Sequence, residues 1–413
     1  MRFTFIHAAD LHIDSPFAGL GLKDQAVAAR FAKAGRQAVE SLVAEAIDSQ
    51  AAFVIIAGDV FDGDWKDVTT GLFFARALGA LHRASIPTVM VKGNHDADSI
   101  MSRGPLAYPE TVRTFASNRA ETYALEDCRV ALHGRSFSSR KVADDFVASY
   151  PQRREGWLNI GVLHTALDGT RGHEAYAPCT VDDLRRFGYD YWALGHIHAA
   201  ETVSEDPWIV YPGNVQGRSV RETGAKGAVR VTVEDGRIIA VEPLVLDAAR
   251  WAHETIDVSG CSDEAEVLTL IREALRQLHP GSGGRPLAVR LTLSGTTSAH
   301  ARLVARREAI EEEARALGFQ FADDCWVEQV KLATVAPARV SDRAAEPDAL
   351  DVAGLLEAAA DDPAFRSVLS ELLASVADKL PRDLRAELSV EDPDALEQLA
   401  LQARDYLVGA LPS

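Results

Sequence analysis

The chain has 413 residues, of which 47% are hydrophobic and 25% charged, the balance of a globular protein of about two to three domains. No apolar run approaches the ~20 residues that span a bilayer, the opening "MRFTFIHAADLH" turns polar too soon for a secretory signal, and four cysteines without a CxxC pair argue against a disulfide framework or a cysteine zinc site. The formal charge of −18 argues against a broad basic surface for nucleic acid. The charge is uneven, because residues 341–413 hold 16 Asp/Glu and 6 Lys/Arg and so carry −10, leaving −8 on the other 340 residues. A cytoplasmic location and no membrane partner are the expectation.

In chain order, "RFTFIHA" reads as a strand, and residues 23–49 read as a helix with Phe31, Ala34, Ala38, Leu42, Val43 and Ala46 near a 3.6-residue period. "AAFVIIA" (51–57) is a buried strand, 67–84 a second helix and "IPTVMV" (86–91) a third strand. "RVALHG" (129–134), "LNIGVLH" (158–164) and "YDYWALGH" (189–196) add three more. Strands alternating with helices indicate an α/β domain with buried sheets. After Gly195 the pattern changes to short strands, "PWIVYPG", "GAVRVTV" and "GRIIAVEPLVL", expected as a meander that completes a second sheet. The chain restarts near 250: strand "AHETIDVS", helix 263–278, strand "PLAVRLTLS", helix 299–317 and strand "QVKLATV" describe a compact α+β unit over 251–336. Residues 337–348 read as a linker, and 349–413 as a helical tail broken at Pro363, Pro381 and Pro393.

The polar residues cluster where apolar strands end. "ADLH" gives Asp10 and His12, "GDVFD" gives Asp59 and Asp62, and "GNHD" gives Asn94, His95 and Asp96. "GVLHT" gives His164, and "LGHIH" gives His196 and His198. In an open α/β sheet the carboxyl ends of the strands face one crevice. Each piece has an ordinary alternative, a turn, a helix cap or a packed histidine pair, but five such strand ends in one chain point to a shared site. Imidazole, carboxylate and amide oxygens without cysteine suit divalent cations, Mn2+ first, with Fe, Zn or Mg as alternatives. Seven ligands exceed what one ion with open positions needs. Two ions about 3.5–4 Å apart with one bridging carboxylate use them all, and such a pair serves hydrolysis of a phosphate ester.

The order D-x-H, GDxxD, GNHD, H, GHxH over residues 1–200 resembles the calcineurin-like metallophosphoesterases. Within them, "IHAADLHIDSPF" and "VYPGNVQGRSVRETGAKG" resemble the bacterial SbcD/YhaO-type DNA-repair exonucleases. The resemblance implies two facing β-sheets flanked by helices over 1–250, with the small α+β unit as a capping domain. It implies Asp10, His12, Asp59 and His198 as ligands of one ion and Asp59, Asn94, His164 and His196 as ligands of the other, with Asp59 bridging. It further implies His95 as proton donor to the leaving oxygen, with Asp96 orienting that imidazole. Archaeal and eukaryotic members carry a second catalytic histidine where this chain, like many bacterial relatives, has Asp62. DNA is the implied substrate, with Arg135, Arg140, Lys141, Arg218 and Arg221 as candidate phosphate contacts. A coiled-coil ABC/SMC-type ATPase, docked through the C-terminal region, and a homodimer are the implied partners. The alternatives are a small-nucleotide phosphodiesterase or phosphatase on the same metals, and a non-catalytic scaffold of a repair complex. His7, His133 and His173 read as structural or surface histidines.

Overall fold

The computed structural model describes residues 1–15, 25–62, 68–98, 108–140, 146–167 and 177–337, together with 362–377 and single residues of the C-terminal region. In chain order the elements are β1 (Arg2–Ala8), α1 (Gln25–Asp48), β2 (Val54–Ala57), α2 (Val68–Arg83), β3 (Thr88–Val91), α3 (Asn94–Asp98), β4 (Val112–Thr114), β5 (Glu121–Leu125), β6 (Val130–Gly134), β7 (Leu158–His164) and α4 (Val181–Arg186). They continue as β8 (Tyr191–Gly195), β9 (Glu201–Glu205), β10 (Trp208–Tyr211), β11 (Gly227–Glu234), β12 (Arg237–Val245), β13 (Arg250–Asp257), α5 (Glu264–Leu278), β14 (Leu287–Thr296), α6 (His300–Ala305), α7 (Arg307–Phe319), β15 (Cys325–Val335) and α8 (Pro363–Ala377).

Two compact units emerge, Met1–Ala252 with Gly284–Leu287, and His253–Gly283 with the described residues of Ala288–Ser413. The first holds two six-stranded mixed sheets, in the orders β12-β11-β1-β2-β3-β4 and β5-β6-β7-β8-β10-β9. The parallel strands β1, β2 and β3, and β6, β7, β8 and β10, carry the apolar runs that the sequence places there, and the short β4 pairs parallel with β3.

Strand alternation sorts the side chains into three layers. Phe5, Phe53, Ile55, Val89 and Val91 of the first sheet pack with Leu132, Ile160, Val162, Tyr191 and Ala193 of the second, so the sheets face one another across an apolar core. The alternate residues Ile6, Val54 and Ile56 turn to Ala38, Leu42, Phe74 and Leu78 of α1 and α2. On the far side of the second sheet, Leu163, Trp192 and Leu194 pack with Tyr150, Leu184 and Tyr189. Phe5 stacks on Phe53 at 4.8 Å between ring centroids, 11° from parallel, and meets Tyr191 edge-on at 5.5 Å, which fixes the sheets face to face.

The expected meander is corrected in part. β10 joins the second sheet beside β8, but β11 pairs antiparallel with β1, from Arg2↔Glu234 to His7↔Val229, and β12 follows it, so both extend the first sheet. The inward residues Val229, Val231 and Val233 complete the intersheet core there. Strands β4, β5 and β9, short and half-exposed, were not anticipated because they lack an apolar run.

In the second unit α5 buries Val267, Ile271 and Leu275, and α7 buries Ile310, Ala314 and Leu317, at helical spacing. These helices accompany the three-stranded sheet β13-β14-β15. The helix expected over 299–317 is broken at Arg306 into α6 and α7. Pro363 opens α8 directly after the non-helical Asp362, a position where its missing N–H costs nothing. The expected linker and most of the tail lie outside the described residues. Among the described residues no helix is long and apolar enough to cross a membrane.

Candidate metal centre

The site forms where two loops are laced together. After β1, the backbone N–H groups of Asp10, His12 and Ile13 donate to the carbonyls of Gly58, Asp59 and Val60 after β2, at 3.0–3.1 Å. Several site residues adopt the left-handed conformation that side chains disfavour: Asp10 (φ 51°), His12 (39°), Asp59 (51°) and His196 (100°). Each such residue costs on the order of 1–3 kcal/mol, a strain that clusters at functional sites. Two glycines admit the close approach. A Cβ on Gly93 would lie 2.2 Å from Asp59 Oδ1, and one on Gly58, itself at φ 96°, would lie 2.5 Å from His164 Nδ1.

All seven expected ligands converge. Asp10, His12 and His198 offer one ligand atom each within 4.8 Å of one another, and so do Asp59, His164 and His196. Asn94 joins the second group, its Oδ1 3.0 Å from His164 Nε2 and 3.3 Å from His196 Nδ1. Asp59 reaches both groups, with Oδ2 3.2 Å from His164 Nε2 and 3.9 Å from His12 Nε2. Its Oδ1 accepts the His95 backbone N–H at 2.9 Å. Asp10 accepts the His196 backbone N–H at 2.9 Å.

The imidazoles are held from behind. His164 Nδ1 donates to the Ala57 carbonyl at 2.9 Å, His12 Nδ1 to Asp62 Oδ1 at 2.7 Å and His198 Nδ1 to Glu222 Oε1 at 2.7 Å. With the proton on Nδ1, each ring turns an Nε2 lone pair inward. Nε2 of His12 and Nε2 of His198 then meet at 3.2 Å, and Nε2 of His164 meets the oxygens of Asn94 and Asp59. Acceptors converging on acceptors fit a cation, so this donor set suits divalent metal.

The electrostatics agree. Burial pushes the Asp59 carboxyl up, but His164, His12 and His95 beside it outweigh that and hold it well below the usual range. Burial pulls the His164 imidazole down, yet the Asp59 carboxylate outweighs it and raises it to about 9, so without a cation the ring takes a second proton on Nε2 facing Asp59, a proton that a bound cation would replace; this pocket favours positive charge. Burial raises Asp62 and Glu222, but hydrogen bonds from His12 and His198 and the nearby Arg218 charge hold both low.

His95 lies at the open side of the cluster with a third of its side chain exposed, its ring edge-on to His12 at 5.1 Å. Burial lowers its imidazole, opposed by the charges of Asp59 and Asp62. The expected partnership of His95 with Asp96 is corrected. Asp96 is buried, and its two oxygens accept backbone N–H groups, from Phe61 at 3.0 Å and from Gly93 at 3.1 Å. It ties the loop after β2 to the start of α3, and burial with the Asp59 charge pushes it up to about 7. The carboxylate against His95 is Asp62, whose Oδ1 is 3.3 Å from His95 Nδ1. Adjacent residues of a helical turn diverge by about 100°, so Asp96 cannot face its neighbour's ring.

Of the candidate phosphate contacts among the described residues, only Arg218 packs within the cluster. Its Nη2 is 3.1 Å from Glu222 Oε1 and its Nη1 3.7 Å from Asp62 Oδ1. Arg135 instead stacks over Phe146 at 4.2 Å and donates to the Ser117 carbonyl and Ser149 Oγ. Arg140 is exposed, with its charge felt at His95. Arg221 is exposed, and Lys141 lies outside the described residues, as does His173. Glu222, which the sequence reading missed, lies 24 residues past His198 in a loop without a motif of its own. Its only signal was the surrounding "NVQGRSVRETG". His7 and His133 are buried structural histidines, the first bonded to Tyr191 and Leu194, the second to Thr122 and Asn159.

Comparison with known proteins agrees with this geometry. Residues 3–200 match the calcineurin-like phosphoesterase family, and residues 251–335 match the middle domain of the metallophosphoesterase YhaO. The uncharacterized metallophosphoesterase YhaO of Bacillus subtilis (strain 168) is 34% identical over 297 residues, 71% of this chain and 72% of that protein. Among solved structures, TT1561 of Thermus thermophilus is 12% identical with a TM-score of 0.35, covering 59% of this chain and 99% of that one. A dimetal phosphatase from Danio rerio is 12% identical with a TM-score of 0.34, covering 55% and 92%. Likeness at those scores carries no inference about this chain. The sequence match and the converging ligands together show that the chain belongs to the calcineurin-like metallophosphoesterases, metal-dependent hydrolases of phosphate esters, and that it carries a YhaO-type middle domain.

Proposed function

We propose that the protein is a two-metal phosphodiesterase that hydrolyses DNA, acting as a repair nuclease with a coiled-coil ABC-type ATPase. The observation that carries the reading is the acceptor cluster shared across Asp59, with the His95 imidazole at its open side. Asp10, His12, Asp59 and His198 would hold one cation and Asp59, Asn94, His164 and His196 the other, with Mn2+ the first candidate. Such a pair, when bound, acidifies water and offsets the negative charge of a phosphoryl group.

The chain's own residues then have separable tasks. Asp59 Oδ1 holds the His95 backbone and so fixes where α3 begins. Asp62 orients the His95 ring through Nδ1 and supports its protonated form, leaving Nε2 to hand a proton to the leaving oxygen. Arg218, a fifth exposed at the rim, adds positive charge for a phosphate backbone in a chain that is otherwise acidic.

The choice of DNA is supported by the stretch "VYPGNVQGRSVRETGAKG", which resembles DNA-repair exonucleases, and by the further unit after residue 252. The ATPase partner is supported by α8, whose Phe365, Val368, Leu372 and Val376 lie along one helix face and are 40–60% exposed. A homodimer belongs to the same reading. A substrate panel tests it. Mn2+-dependent cleavage of DNA that Asp59→Ala abolishes is expected; turnover of simple or cyclic phosphate esters with none of DNA would replace it with a small-molecule esterase. Retained repair in cells carrying Asp59→Ala would favour a scaffold.

A further inference from the structure

The loop joining β10 to β11 lies between the two matched stretches, residues 3–200 and 251–335, yet it reaches into the metal centre. Glu222 Oε1 is 2.7 Å from His198 Nδ1. The carboxylate can only accept, and its contact is shorter than the 3.1 Å from Arg218 Nη2 to the same nitrogen, so the ring's proton sits on Nδ1 and the Nε2 lone pair faces inward. Glu222 is itself gripped on all sides. Its Oε2 accepts from Asn214 Nδ2 and from the Arg218 backbone N–H, each at 2.8 Å, and its Oε1 accepts from Arg218 Nη2 at 3.1 Å.

The loop has a firm floor. Gln216 Nε2 donates to the Ala249 carbonyl at 2.7 Å, and Trp251 Nε1 donates to the Gly217 carbonyl at 3.1 Å. Lys226 Nζ donates to the His198 carbonyl at 2.9 Å. Arg218 Nη1 extends to within 3.7 Å of Asp62 Oδ1, the oxygen that receives His12 Nδ1. One guanidinium thus stands between the carboxylate behind His198 and the carboxylate behind His12, and the two Nε2 atoms those carboxylates aim are 3.2 Å apart.

We propose that Glu222 is the positioning residue of His198, braced by Arg218, so that this loop sets the affinity of the cation position formed by Asp10, His12 and His198. The proposal rests on the two-cation reading above, and its test separates the two. Carboxylates behind metal-binding histidines fix the ring's tautomer and basicity, and losing one typically costs about 10–100-fold in metal affinity.

The experiment uses the full chain stripped of metal. Calorimetric titration with Mn2+ is run on the wild type, Glu222→Ala, Arg218→Ala and Arg218→Lys, alongside 15N spectra of the histidine rings in the metal-free state. The wild type should bind two Mn2+ and show His198 as the single Nδ1–H tautomer. Glu222→Ala should weaken one of the two sites about 10–100-fold, leave the other unchanged and mix the His198 tautomers. Arg218→Ala should weaken the same site less, and Arg218→Lys should recover part of that loss, which a merely structural role would not do. Should Glu222→Ala fail to fold, the Arg218 pair carries the same comparison from the rim. Two unchanged Mn2+ sites with an unchanged His198 tautomer in Glu222→Ala would overturn the proposal. Fewer than two Mn2+ in the wild type would instead overturn the two-cation reading, and the tautomer spectra would still decide the role of Glu222.

Discussion

Asp62 Oδ1 lies 2.7 Å from His12 Nδ1 and 3.3 Å from His95 Nδ1, so a single oxygen touches both an imidazole of the candidate ligand cluster and the imidazole at the open side of the site. Asp62→Asn should therefore affect two observables together. We expect kcat to fall by about 10²–10⁴-fold, the range of a lost general acid, with weaker Mn2+ binding at the His12 position. His95→Asn should lose a similar factor in kcat while metal content, measured by elemental analysis, stays at the wild-type level. A His95→Asn enzyme with wild-type kcat would remove His95 from proton transfer.

Asp96→Asn separates the two carboxylates. Both Asp96 oxygens accept backbone N–H groups across the loops after β2 and β3, and an amide can satisfy only one of them. The expected result is a loss of stability of about 1–3 kcal/mol, read by denaturant unfolding, with a pH–rate profile of the same shape as the wild type. A displaced basic limb in Asp96→Asn and an unmoved one in Asp62→Asn would reverse the assignment.

Gly93→Ala tests the tightness of the centre. Its Cβ would fall 2.2 Å from Asp59 Oδ1 and 2.9 Å from the Asp59 backbone nitrogen, so the carboxylate between the two ligand groups must move. Displacements of about 1 Å at a reacting centre can cost on the order of 10²-fold in rate. Reduced Mn2+ stoichiometry and a comparable drop in kcat are expected. Unchanged metal binding would mean that Asp59 tolerates the shift.

The sequence disclosed the centre more fully than its surroundings, and the reasons are physical. Asp10, Asp59, Asn94, His164 and His196 are conspicuous because each interrupts an apolar strand at its carboxyl end, where burial gives a polar residue no ordinary role. The resemblance misled at His95 and Asp96, since neighbours in a helical turn face apart and the carboxylate against His95, Asp62, comes from the loop after β2. Glu222 and Arg218 were obscure because their roles arise from loop closure, which has no periodicity. β11 and β12 were legible as neighbouring strands of a meander, but the sheet they join is decided by long-range pairing with β1.

The intersheet region predicts a pH effect on stability. His7 is fully buried, with Nε2 donating to the Leu194 carbonyl at 3.1 Å and Nδ1 accepting from Tyr191 Oη at 3.0 Å. Burial pulls its pKa down to about 3, from 6.5 in the unfolded chain, so the unfolded state takes up a proton first as pH falls. The stabilisation is fully present above pH 6.5 and is lost progressively toward pH 3, in total on the order of a few kcal/mol. Between about pH 6.5 and 5, where most carboxylates remain ionised, His7→Phe should flatten the fall in denaturation midpoint. An equal slope in both proteins would contradict the burial of a neutral His7.

Anomalous diffraction at the manganese edge from crystals soaked in Mn2+ tests the account most directly. Two peaks are predicted, one bounded by Asp10, His12 and His198, the other by Asn94, His164 and His196, with the Asp59 carboxylate between them. A single peak, or none, with Asp59 bound to no ion, would contradict it.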